Sequence, residues 1–231
     1  MSQLVRRSLW DKVPRDHWDS PQVLRRRQVV VAAVVVLGAV ALGFLLRTEP
    51  GSGAFYVLTL VLAAIWTAGA FVSGRLHLGR IGLRDRLVRP VLSPFVVGVA
   101  MVAVFVVGGL VLREVDAFAP LVSEIRSVLD YSTQGSLPAL VAVTAVNGIA
   151  EELFFRGAAY AAVPTRPVLV TTVAYTAATL ASGNVMLAFA AVLLGVVVGL
   201  ERRASGGVLA PIITHLTWSL SMLLILPLVF A

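Results

Sequence analysis

Two adjacent glutamates and an arginine, Glu151-Glu152-x-x-x-Arg156, lie inside an otherwise apolar stretch that runs from Leu137 to Val163. An ionised carboxylate at the centre of a membrane helix costs about 2.5 to 3.5 kcal/mol on insertion scales, so two in succession call for partners or a task. The plainest arrangement is an ion pair, because Glu152 and Arg156 are four residues apart in the favourable acid-before-base order. Glu151 lies about 100° around the helix from Glu152, outside easy reach of the same guanidinium, with Asn147 one turn earlier as its available neighbour. It is therefore the less neutralised acid and the candidate general base. His215 is the only histidine within an apolar run, since His17 and His77 fall in polar stretches. Alone, it reads equally well as an interhelical hydrogen bond through Thr214 or Thr217.

Depth links these residues. At about 1.5 Å per residue, Glu151 lies roughly 18 Å from the turn after Val163, His215 roughly 12 Å from Gly207, and Thr179 roughly 18 Å from Pro167. These three positions predict a polar pocket between three helices, reached from the cytoplasmic side.

The elements that must carry them are membrane helices. The chain has 231 residues, 58% hydrophobic and 13% charged, with a mean hydropathy of +0.92, outside the usual balance of a soluble domain. Apolar runs cover about 29–46, 54–72, 94–112, 137–163, 168–181, 185–200 and 208–230. They predict an all-α, polytopic transmembrane bundle of about seven spans (six to eight), with Pro211 and Pro227 able to divide the last. Residues 1–27 form a basic cytoplasmic tail too long for a signal-peptide n-region, and 28–231 the membrane domain. Trp10 and Trp18 are placed at the membrane interface or left idle in the tail.

The loop holding Arg75, Arg80, Arg84, Arg86 and Arg89 is cytoplasmic by the positive-inside rule, as is the N-terminus. The mixed-charge loop from Glu114 to Asp130 is then external, and within it Leu121, Ile125, Val128 and Leu129 recur at helical spacing, which suggests an amphipathic helix over 120–130 or an ordinary loop. Glu201, Arg202 and Arg203 mark a further cytoplasmic turn.

The formal charge of +7 sits on residues flanking apolar segments, which suits anionic lipid and argues against nucleic acid. The absence of cysteine excludes disulfides, thiolate nucleophiles and iron–sulfur ligation. Transport would need a polar path across the bilayer or two similar halves, and neither is present. Gly195-x-x-x-Gly199 suits close helix packing within the chain or a dimer face, and the oligomeric state stays open.

The segment Glu-Glu-Leu-Phe-Phe-Arg resembles EExxxR, the first motif of the CPBP family of intramembrane proteases, which includes the type 2 CAAX prenyl proteases. The resemblance extends over about 137–225. The family's second motif, FxxxH, aligns with Tyr175 to Thr179, so that tyrosine and threonine stand for phenylalanine and histidine. Its third, HxxxN, aligns with His215 to Ser219, with serine for asparagine.

The resemblance implies a multi-pass protein of the bacterial plasma membrane that hydrolyses a membrane-anchored peptide or protein, with CAAX-type processing as one option. Glu151 would activate water, Glu152 and Arg156 would position and tune it, and His215 would stabilise the oxyanion or assist proton transfer, with Ser219 in the place of an amide donor. Threonine is neither a strong metal ligand nor a base at neutral pH. Two histidines and a carboxylate for zinc cannot be assembled from the membrane-embedded residues, so no metal cofactor is expected. The competing expectation is a catalytically impaired relative acting as a membrane scaffold or bacteriocin-immunity factor.

Overall fold

The computed structural model describes residues 5–12, 19–83 and 86–230. Trp18 and Arg84, which entered the interface and charge readings, lie outside the described residues. The described chain contains eight helices of three turns or more and one small hairpin. They are α1 (Pro21–Leu45), α2 (Gly53–Ser73), β1 (Ile81–Leu83), β2 (Arg86–Val88), α3 (Leu92–Arg113), α4 (Ala119–Thr133), α5 (Leu137–Ala162), α6 (Pro167–Leu180), α7 (Val185–Ser205) and α8 (Leu209–Val229). Six of these (α1, α2, α3, α5, α7 and α8) are long and apolar enough to cross a membrane. The protein is an integral, multi-pass helical bundle surrounded by lipid. The apolar α6 has 14 residues and would reach only about 21 Å.

Helix α1 starts earlier than its apolar run. Ser20 caps it by accepting the Val23 N–H, and Pro21 occupies the first turn, where a missing N–H costs nothing. The last residues of the expected tail are thus helical. Arg27, 3% exposed, is tied to Asp19 at 3.0 Å and lies against Gly74.

Glycine sets the α1–α2 crossing: a Cβ on Gly38 would fall within the Trp66 indole. Since Trp66 is itself buried at 2% exposure, the ring cannot swing into solvent. We predict that Gly38→Ala destabilises the protein by about 1 to 3 kcal/mol, the usual penalty for overpacking, measurable as a lower unfolding midpoint in detergent.

The arginine-rich loop is more ordered than its composition suggests. It forms the antiparallel pair Ile81↔Val88 and Leu83↔Arg86, and the residues before it dock on the α7–α8 turn. The Arg80 N–H donates to the Ser205 carbonyl at 2.8 Å, and the Val208 and Leu209 N–H groups donate to His77 and Leu78 carbonyls at 2.9 and 3.1 Å. Gly79 and Gly207 meet backbone to backbone there, which leaves no room for a side chain at either.

At the opposite end of the bundle, α4 is the amphipathic helix suggested by the 120–130 periodicity. Val122 and Ile125 pack on Val229 and Phe230. Glu124 and Tyr131 pin it in place. The Glu124 carboxylate accepts the Val185 and Met186 N–H groups at 2.7 and 3.1 Å, filling the N-terminal donors of α7. The Tyr131 hydroxyl bridges the Leu46 and Thr48 carbonyls at 3.1 and 2.7 Å. Helix α4 thus lies across the bundle from the α1–α2 turn to the start of α7. Helix α8 stays continuous despite Pro227, which sits in its last turn.

Candidate active site

Helix α5 does not keep one winding. It is α-helical through Glu152, then π-helical over Leu153–Ala159. A π segment widens the turn and redirects the side chains on it, a feature concentrated at functional sites. A carbonyl within this segment, that of Arg156, accepts from Arg202 Nε at 2.7 Å. Nothing in the residue types of 153–159 announces the change of winding.

Arg156 and Glu152 are both fully buried and pair at 3.2 Å. The guanidinium also stacks over the Tyr175 ring, 4.7 Å from its centroid, a cation–π contact available to a desolvated arginine. On the other side of Glu152, His215 Nδ1 lies 2.8 Å from the same Oε1 that faces Arg156. With Nδ1–H directed at that carboxylate, Nε2 is the nitrogen left for chemistry. His215 therefore joins the glutamate pair directly, and not through its neighbours. Thr214 spends its hydroxyl on the Pro94 carbonyl, at 2.9 Å.

Glu151 has a different partner from the one its spacing suggested. The Tyr175 hydroxyl donates to Glu151 Oε2 at 2.7 Å, whereas Asn147 Nδ2 points to the Thr59 and Val143 carbonyls, at 3.3 Å each. Spacing along one helix sees only the helix's own neighbours, and Tyr175 comes from α6. That tyrosine thus touches two of the three members of the motif, Glu151 through its hydroxyl and Arg156 through its ring.

Glu151, His215, Asn147 and Ser219 line one cavity of about 520 Å³. Thr179 does not line it; its hydroxyl returns to the Tyr175 carbonyl one turn back, at 2.9 Å. The cavity also runs the opposite way from the cytoplasmic access expected from the depth arithmetic. From Glu151 and His215 it extends along Leu140, Phe55, Leu226 and Ile125 to the underside of α4. On the hairpin side, the space is filled by Trp66, Phe154 and Phe155, each at most 2% exposed, with ring centroids 4.8 to 5.1 Å apart. The depth count gave distances to the turns on the hairpin side alone and could not show which end was plugged.

Glu201 was read as a turn residue and is instead 1% exposed. Its carboxyl lies between α7 and α8 near Thr214 and Glu152. The two arginines that follow it in sequence suggested a turn and gave no sign of its burial against α8.

No group of three or more metal-ligating side chains is assembled among the described residues. The donors nearest to such a set, Glu152 and His215 Nδ1, are paired with each other, and the same carboxylate is paired with Arg156, so they do not fit a zinc site.

No curated protein and no solved structure matches the chain. Residues 133–221, less than half of the chain but including every residue of this site from Asn147 to Ser219, match the family model described as type II CAAX prenyl endopeptidase Rce1-like.

Proposed function

We propose that this protein is an intramembrane endopeptidase of the glutamate type, hydrolysing a peptide bond in a membrane-associated protein or peptide. The observation that carries the proposal is the meeting of Glu151 and His215 on one mostly apolar cavity, backed by a buried ion pair that holds the histidine. The partial similarity to type II CAAX prenyl endopeptidases supports the reaction class and makes CAAX-type processing one option for the substrate. The catalytic core is assigned to 137–225 within a membrane domain of 28–231, with the N-terminus cytoplasmic and the bacterial plasma membrane as the location.

In this reading Glu151 takes a proton from water while the water oxygen bonds to the scissile carbonyl carbon. The developing oxyanion is met by His215 Nε2, which donates once the imidazole carries a proton on both nitrogens. Collapse of the tetrahedral intermediate breaks the C–N bond, and the proton held by Glu151 passes to the leaving amine. Glu152 keeps the imidazole oriented, and Tyr175 does the same for Glu151.

Tyr175→Phe separates the two contacts of that residue, because it keeps the ring under Arg156 and removes only the hydroxyl. We predict a roughly tenfold fall in kcat with KM unchanged, the equivalent of one hydrogen bond to a charged group, and little change in thermal stability.

A second reading, a catalytically impaired relative serving as a scaffold or immunity factor, draws support from Thr179, which stands in the place of the family's histidine and turns its hydroxyl away from the cavity. Purified wild type, Glu151→Gln and Thr179→His proteins decide between the two. Cleavage by wild type that is lost in Glu151→Gln supports the peptidase; cleavage gained only in Thr179→His supports the impaired relative.

A further inference from the structure

Helices α5 and α8 run in opposite directions and meet at Gly148, where a Cβ would stand 3.3 Å from Leu216 and 3.6 Å from the His215 ring. Beside this contact, towards α4, Asn147 from α5 and Trp218 and Ser219 from α8 line the same cavity. Asn147 gives its amide hydrogens to the Thr59 and Val143 carbonyls, which fixes the orientation of the side chain. Its Oδ1 is then a buried acceptor with no hydrogen-bond partner among the described residues, and the Trp218 indole N–H and Ser219 hydroxyl are in the same condition. Each such buried group costs about 1 to 3 kcal/mol when left unmatched. Three from two helices that line one cavity form a set, with the acceptor contributed by one helix and the donors by the other.

The indole cannot simply turn away. Its ring packs edge-on against Phe105 at 5.0 Å and lies 6.2 Å from His215. Most of the remaining wall is apolar, from Leu140 and Val143 to Met222 and Leu226. The complement of one acceptor opposed to two donors, inside an apolar tube, is a secondary amide flanked by apolar arms. Its N–H suits Asn147 Oδ1 and its carbonyl suits Trp218 and Ser219.

We propose that Asn147, Trp218 and Ser219 form an amide-reading subsite that holds one secondary amide of an apolar ligand on the α4 side of Glu151 and His215. Calling that ligand a substrate rests on the peptidase reading, whereas its binding does not. Trp218 and Asn147 thereby become binding residues that place the chain relative to Glu151, separate from the groups that act on the scissile bond.

The absence of cysteine allows a direct test. Met222→Cys puts a single thiol on the cavity wall, one turn past Ser219 on α8, and its alkylation by N-ethylmaleimide reports occupancy. The measurement uses the full chain in nanodiscs, in a Glu151→Gln background so that turnover plays no part. The probes are N-octyl octanamide and octyl octanoate, which share both apolar arms and the carbonyl but differ in the N–H.

The amide is expected to slow alkylation at about tenfold lower concentration than the ester, one hydrogen bond being worth about a factor of ten. Trp218→Phe, which keeps the aromatic ring, is expected to weaken both probes by about the same factor while preserving their ratio. Equal protection by amide and ester, protection by neither, no alkylation without a probe, or an unchanged response in Trp218→Phe would each overturn the subsite. Failure of wild type to cleave any peptide, with amide protection intact, would overturn the peptidase reading alone.

Discussion

Glu151→Gln should lower peptide hydrolysis by about 10²- to 10⁴-fold, the range that a positioned general base contributes, while the fold survives almost unchanged. Both halves of this expectation follow from where the residue sits. Glutamine keeps the carbonyl oxygen that can accept from the Tyr175 hydroxyl, a contact of 2.7 Å in the native protein, and Glu151 takes no part in the Glu152–Arg156–His215 pairing. A single-turnover assay with purified protein, alongside an unfolding curve, reads the two quantities separately. Equal hydrolysis by the two proteins would remove Glu151 from the reaction.

The largest effect on stability is expected at Arg156. Arg156→Met leaves the Glu152 carboxylate at 0% exposure without the guanidinium that neutralises it, and breaking a buried pair from one side costs about 3 to 5 kcal/mol. Loss of the stacking on Tyr175 adds to this. Much of the deficit should return in the double variant Glu152→Leu with Arg156→Met, because an apolar pair of similar volume needs no counter-charge. Activity should not return with it, since His215 would lose the acceptor on Nδ1. Unfolding midpoints of the single and double variants, compared at one detergent concentration, measure the difference; a single variant as stable as wild type would mean that the pair contributes little.

These expectations also mark what was legible in the chain. The spans could be read because lipid imposes a length and a hydropathy that few other constraints override, and the amphipathic α4 showed in the spacing of Ile125, Val128 and Leu129. The Glu152–Arg156 pairing is local, four residues along one helix, and so it was visible as well.

What lay out of sight depended on contacts between helices. Tyr175 is 24 residues from the glutamate it meets, His215 is 63 from its own, and no periodicity encodes such distances. Asn147 was assigned to Glu151 on the strength of one helical turn, but a carbonyl of α2 was the better-placed acceptor. Glu201 looked like a turn residue because its sequence neighbours are arginines; its burial beside Thr214 of α8 depends on a contact between helices that residue type does not show. The direction of the cavity was misjudged because charge counts report which loops face which side and say nothing about where aromatic rings fill space.

The change of winding in α5 has a consequence for how this chain can vary in length. A seven-residue π segment holds one more residue than ordinary helical winding would need to cover the same rise, so a one-residue deletion between Leu153 and Ala159 could be absorbed by tightening the coil, without shortening the membrane crossing. The residues beyond it would keep their depth, but Arg156 would swing relative to the acids that precede it. Such a deletion variant, made before Arg156, should still insert and fold as a bundle while placing Arg156 three residues after Glu152 instead of four, which makes register, rather than length, the quantity this segment protects.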